Sequence, residues 1–198
     1  MFEAKNIKYA TDRELKDKYE GEKCLIIGGA YRDETKGREY QRCHTLDKWR
    51  HFVMGCNSAY KVRRVDFLCW IDINFSTLYK DDLKRLECMK FVAYPTKWEC
   101  LDFEYYGVRC GDPNIISRSF DNGMYPHNQS GFFALNIAIA LGFSEIYLTG
   151  FCPNGKKEKK VAEMFNCLRP FTMIYTTDMR SMLADYFNYK PLTEVLKI

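Results

Sequence analysis

The sequence predicts an α/β protein: a single Rossmann-like domain spanning residues 1–198, with a mainly parallel sheet flanked by helices. Three observations predict it. The stretch from Phe132 to Leu141 is apolar almost all round, and a helix without a polar face belongs inside a protein, against a sheet. The run Ile146–Thr149 follows that helix after a very short turn, as in α/β units where the helix lies back across parallel strands. Several further apolar runs end in glycine or in small polar residues, the pattern of buried strands entering loops.

The central helix is punctuated at both ends. Ser130 reads as its N-cap, since a hydroxyl can accept a free N–H of the first turn, and Gly142 as the left-handed residue that ends it. The amino end is the first candidate site. Its free N–H groups and positive dipole suit a phosphate, and Gly131 allows a ligand close to the backbone. The competing reading is that Ser130 only caps a buried helix and Gly131 only packs.

Taken in order, the first twenty residues are polar and predict a peripheral helix around Asp12–Lys16. Lys23–Ile27 is the first buried strand, and it runs into the loop Gly28-Gly29-Ala30, where a nucleotide can sit. The Gly-x-Gly-x-x-Gly fingerprint and any Walker sequence are missing, which argues against NAD and P-loop chemistry. The charged segment 31–50 reads as loop and helix. His44 and His51 have no metal-type spacing to Cys or carboxylates and read as structural or surface residues. A second strand covers 51–60 and a third 65–75. They end in Asn57 and in Asp72 with Asn74, so adjacent strands bring an amide and a carboxylate to one rim. Asn57 can hydrogen-bond a base, ribose or phosphate, and Asp72 can accept from a hydroxyl or act as a base. Both residue types also commonly make turns. Leucines at helical spacing predict a surface helix over 77–87, and Phe91–Tyr94 is a fourth strand stopped by Pro95. Residues 96–121 read as a variable, irregular and aromatic insertion with a short strand or two. Cys152–Lys160 reads as a mobile basic loop, and a last helix is expected to begin at Asp178 as N-cap and run through Tyr186.

The chain has a globular balance, with 46% hydrophobic and 28% charged residues. A net charge of +4 favours anionic ligands and does not by itself support a nucleic-acid partner. The nine cysteines are dispersed without Cys-x-x-Cys pairs, and no leader or membrane-spanning run is legible, so free thiols and a cytoplasmic location are expected. Homo-oligomers are compatible with this composition.

The order Leu25–Gly29, Val53–Tyr60, Phe67–Asp72, then Ser130-Gly131 through Ile146–Gly150 resembles the bacterial sialyltransferases of glycosyltransferase family 42 and short phage-encoded relatives. The specific part is the Ser-Gly, helix, Leu-Gly, strand, Gly segment. The resemblance implies a nucleotide-sugar-dependent glycosyltransferase that needs no metal or other cofactor and takes a CMP-type donor. It implies nucleotide contacts from Gly28, Gly29, Ala30, Asn57, Asn128, Ser130 and Gly131. The family's late histidine is replaced here by Met173–Thr177, so the catalytic base is expected at Asp72 or His127. Its phosphate-assisting tyrosines are likewise not evident, and Lys156 or Lys157 is expected to stabilise the leaving phosphate. The alternative is a non-catalytic nucleotide-binding or sequestering protein. A methyltransferase using S-adenosylmethionine fits less well, because Cys56-Asn57 stands where an acidic residue is expected to end the second strand.

Overall fold

A computed structural model describes residues 6–29, 46–93, 101–113, 117–151, 158–179 and 181–197. Nine strands form one sheet: β1 Ile7–Tyr9, β2 Lys23–Ile27, β3 Phe52–Cys56, β4 Phe67–Trp70, β5 Met89–Ala93, β6 Tyr105–Val108, β7 Glu145–Thr149, β8 Met173–Thr176 and β9 Asn188–Tyr189. Their order is β1-β6-β5-β4-β3-β2-β7-β8-β9, and every neighbouring pair is parallel. The chain thus winds outward from β2 through β3, β4, β5 and β6, then returns to add β7, β8 and β9 on the other side. The reversal lies between β2 and β7. In open α/β sheets, such a switch point opens a crevice at the carboxyl ends of the strands.

Side-chain alternation divides the core between the two faces. Cys24 and Ile26 of β2, Phe67 and Cys69 of β4, and Ile146 and Leu148 of β7 join one apolar cluster. Leu25, Ile27, Leu68, Trp70 and Tyr147 join the other. Both faces are covered, so the strands read as continuous apolar runs.

The helices are α1 Asp12–Leu15, α2 Ile73–Leu78, α3 Lys80–Arg85, α4 Ser130–Ala140, α5 Glu158–Asn166 and α6 Leu192–Val195. Every residue of α4 from Phe132 to Ala140 is buried, and the helix packs across β2, β3 and β4. It ends as the sequence predicts. Gly142 has φ +92°, its N–H donates to the Ile139 carbonyl, and the Phe143 N–H donates to the Ala138 carbonyl, a Schellman arrangement.

Several boundaries differ from expectation. The amino-terminal segment is integral: Leu15 is fully buried, and the N–H groups of Asp17 and Tyr19 donate to the Ala140 and Leu141 carbonyls at the end of α4. The second strand stops at Cys56 because Asn57, with φ +51°, turns the chain into a 3-10 turn over Asn57–Lys61. The third strand stops at Trp70 because Asp72 caps α2. The helix expected over 77–87 is α2 and α3, broken at Tyr79. Glu158–Lys160, expected in a loop, begin α5. The helix expected from Asp178 is a 3-10 turn over Met182–Asp185 capped by Ser181. The insertion over 96–121 does hold a short strand as expected, β6, and that strand is the neighbour of both β1 and β5.

Candidate functional site

Of the predicted residues, Gly28, Gly29, Asn57, Ser130 and Gly131 lie at the carboxyl rim of the switch point. Parallel register sets Ile27 at the end of β2 beside Gly55 of β3 and Thr149 of β7, so the loop after β2 emerges between the ends of its two neighbours. Gly28 continues the ladder by donating its N–H to the Thr149 carbonyl at 2.8 Å. Gly29 is exposed, and a Cβ there would meet only open space.

The amino end of α4 joins this rim through the end of β3. Ser130 Oγ donates to Asn57 Oδ1 at 3.1 Å, and Cys56 Sγ lies 3.8 Å from the Ser130 carbonyl oxygen. Ser130 is therefore not the N-cap. His127 (φ +49°) and Asn128 (φ +57°) turn the chain in consecutive left-handed steps, Gln129 is the extended N-cap, and no side chain caps the helix. Ser130 thus falls in the first turn, where its hydroxyl reaches across to Asn57. The N–H groups of Ser130, Gly131 and Phe132 have no carbonyl available within the helix, as in any first turn. With its oxygen engaged by Ser130, Asn57 has two amide donors that find no partner among the described residues. Of the four non-glycine residues with positive φ, three are Asn57, His127 and Asn128, so the left-handed backbone of the described residues concentrates at this rim.

The glycines predicted to admit a ligand are filled by the protein itself. A Cβ on Gly131 would come within 2.4 Å of Phe151 Cε1. A Cβ on Gly28 would meet Phe151 Cδ2 at 3.0 Å and the Gly150 carbonyl oxygen at 2.5 Å. The Phe151 ring is therefore wedged between the end of β2 and the start of α4. The small size of Gly28 and Gly131 is explained by that packing, while the helix N–H groups remain the feature suited to an anion.

The two candidate bases differ. Asp72 is exposed, and its Oδ1 accepts the Asn74 N–H at 2.9 Å, so this carboxylate is engaged in starting α2. His127 is half-buried, with its ring edge-on to Tyr125 at 4.8 Å and to Phe132 at 5.1 Å between centroids. Burial holds its imidazole below the ordinary value of 6.5, which favours the neutral, proton-accepting form at pH 7. No hydrogen bond joins His127 to Asp72 among the described residues.

Sequence reasoning placed a second carboxylate, Asp178, only as a helix cap. Asp178 follows β8 and is not a helix cap; its Oδ2 accepts the Phe151 N–H at 3.0 Å. Burial raises its pKa above the ordinary carboxylate value, while the backbone N–H groups of Phe151 and Gly150 pull the other way. Its distance in sequence from Phe151 concealed the contact.

Ala30, Lys156 and Lys157, and also His44, lie outside the described residues. No group of three potential metal ligands occurs among the described residues. Cavities of about 460 and 500 Å³ lie at the amino ends of the strands, away from this rim, one by Lys90 and Tyr105 and the other by Arg118 and Phe171. No described helix is long and apolar enough to cross a membrane. A scan against known protein-family models finds none that matches the chain, and a search of curated proteins finds no similar sequence.

Proposed function

We propose that the protein binds the nucleotide part of an activated sugar at the carboxyl rim between β2 and β7 and transfers the sugar without a metal. The observation that carries this reading is the Ser130–Asn57 hydrogen bond, which joins the open amino end of α4 to the end of β3. Side-chain donors of Asn57 and backbone donors of α4 then converge beside the exposed Gly29. These donors suit the single phosphate of a CMP-type donor.

In the transfer step, neutral His127 takes the proton of an acceptor hydroxyl. The acceptor oxygen attacks the anomeric carbon, and the bond from that carbon to the phosphate oxygen breaks with its electron pair leaving on the nucleotide. The α4 N–H groups stabilise the departing charge, with Lys156 or Lys157 as further candidates. One observation favours binding without transfer. Among the described residues His127 has no hydrogen-bonded carboxylate to orient it, whereas a general base is commonly held by a third group.

A thermal-shift series with CMP, UDP, GDP, dTDP, ADP-ribose and S-adenosylmethionine tests the site, because a ligand that binds only the folded state raises the melting temperature. Saturable stabilisation by CMP that weakens roughly tenfold in Ser130→Ala is expected. A response confined to S-adenosylmethionine overturns the reading. Release of CMP from a CMP-sugar, abolished in His127→Asn, separates transfer from binding alone.

A further inference from the structure

The geometry points to Asp178 and Phe151 as a positioning pair that sets the spacing between the end of β2 and the first turn of α4, and through it the affinity of the rim site. The inference rests on the nucleotide reading only for its ligand; the mechanical part stands on contacts within the chain.

Phe151 is the second residue after β7, and it is 9% exposed. One edge faces Gly131, where a Cβ would come within 2.4 Å of the ring, and the opposite edge faces Gly28, where a Cβ would sit 3.0 Å from the ring and 2.5 Å from the Gly150 carbonyl oxygen. The ring also packs edge-on to Phe165 of α5, with centroids 5.9 Å apart. The two ligand-facing segments therefore rest on opposite sides of one aromatic ring.

A wedge holds a spacing only if its own backbone is held. Gly150 has φ +69°, so the chain turns sharply just before Phe151. Asp178 clamps that turn by accepting the Phe151 N–H. Asp178 is itself anchored to β7 and β8. Thr177 donates its N–H and its hydroxyl to the Leu148 carbonyl at 2.9 and 3.2 Å, and the Asp178 N–H donates to Thr176 Oγ1 at 3.3 Å. The route from β8 to α4 thus runs through Asp178, the Phe151 backbone, the Phe151 ring and Gly131. Among the described residues Asp178 touches none of the proposed ligand-binding groups directly, which makes it a positioning residue.

The test uses the full chain and two readouts. Amide hydrogen exchange at Phe133, whose N–H makes the first bond of α4 to the Gln129 carbonyl, reports the helix start without any ligand. CMP affinity by calorimetry reports the site. In Asp178→Ala, exchange at Phe133 is expected to rise roughly tenfold while the amides of β2 and β3 hold their wild-type rates, and CMP is expected to bind roughly tenfold more weakly. Asp178→Asn keeps one oxygen acceptor and should recover part of both effects. Phe151→Leu keeps apolar bulk but loses the flat ring, and it should loosen Phe133 even if Asp178→Ala does not fold. Unchanged exchange at Phe133 in Phe151→Leu, or in a folded Asp178→Ala, overturns the pair, as does faster exchange with undiminished CMP affinity. A wild-type protein that ignores CMP refutes the nucleotide reading instead, and the exchange data then judge the mechanical pair by themselves.

Discussion

Gly131 illustrates how a residue's environment reverses the meaning of its identity. In a helix, alanine is ordinarily better than glycine by about 1 kcal/mol. Here the new Cβ would strike a ring whose backbone is fixed by Asp178, and overpacking of that kind costs about 1–3 kcal/mol. Gly131→Ala is expected to lower stability in the wild-type background and to become neutral or stabilising once Phe151→Ala has removed the ring. A double-mutant cycle by urea denaturation measures that coupling; additive effects would show that the ring is not what excludes the side chain. The same contact makes loss of ligand response in a Gly131→Val protein ambiguous, since the branched side chain meets Phe151 before it meets any ligand. Ser130→Ala is the cleaner probe, because it removes a hydroxyl and adds no bulk.

At the scale of the element, α4 derives its stability from what surrounds it. The amino-terminal segment contributes at the carboxyl end, where Asp17 lies against Gly142: a Cβ on Gly142 would approach the Asp17 Cα to 2.7 Å. Gly21 offers a natural control. It also has positive φ, at +83°, but a Cβ there would meet nothing within 4 Å. Gly21→Ala should therefore cost only the left-handed conformation, about 1–2 kcal/mol. Gly142→Ala should cost about 1–3 kcal/mol more, from overpacking against the backbone. Equal losses in chemical denaturation would mean that the first twenty residues yield freely around the helix end.

For the whole molecule, pH separates the groups of the rim. His127 is held below its ordinary value of 6.5 by burial, so the unfolded chain takes up a proton first as pH falls. The stability it contributes is present above 6.5 and is lost as pH falls from there toward the lower folded value. The melting temperature should accordingly fall from about pH 7.5 to about pH 5.5, and less steeply in His127→Asn, whose asparagine tolerates the left-handed backbone. An identical slope in that variant would show that His127 is not desolvated in the folded protein. Asp178 acts in the opposite direction and at lower pH. Its pKa is raised by burial, so its stabilising contribution is complete below the ordinary value of 3.8 and is lost as pH rises through the folded value.

Local chemistry was enough to mark β2, β3, β4, β5 and β7, the apolar length of α4 and the glycine that ends it, because periodicity, apolar runs and left-handed turns are properties of short stretches. It also placed Asn57 and Asp72 on one rim, while Ser130 and the glycines joined Asn57 only through the family resemblance. Tertiary structure decided how those residues are used. Ser130 was displaced from the cap to a cross-strand hydrogen bond by two left-handed residues that no local pattern announces. Asp72 was committed to a helix that begins where the sequence continues a strand. Gly28 and Gly131 were matched to a phenylalanine more than a hundred residues from one and twenty from the other. β1, β8 and β9 were not marked, and they are strands because a neighbouring edge supplies their hydrogen bonds. The physical reason is common to all of these: burial and the pairing of backbone groups are properties of a surface assembled from distant segments, and a window of sequence contains only one side of each contact.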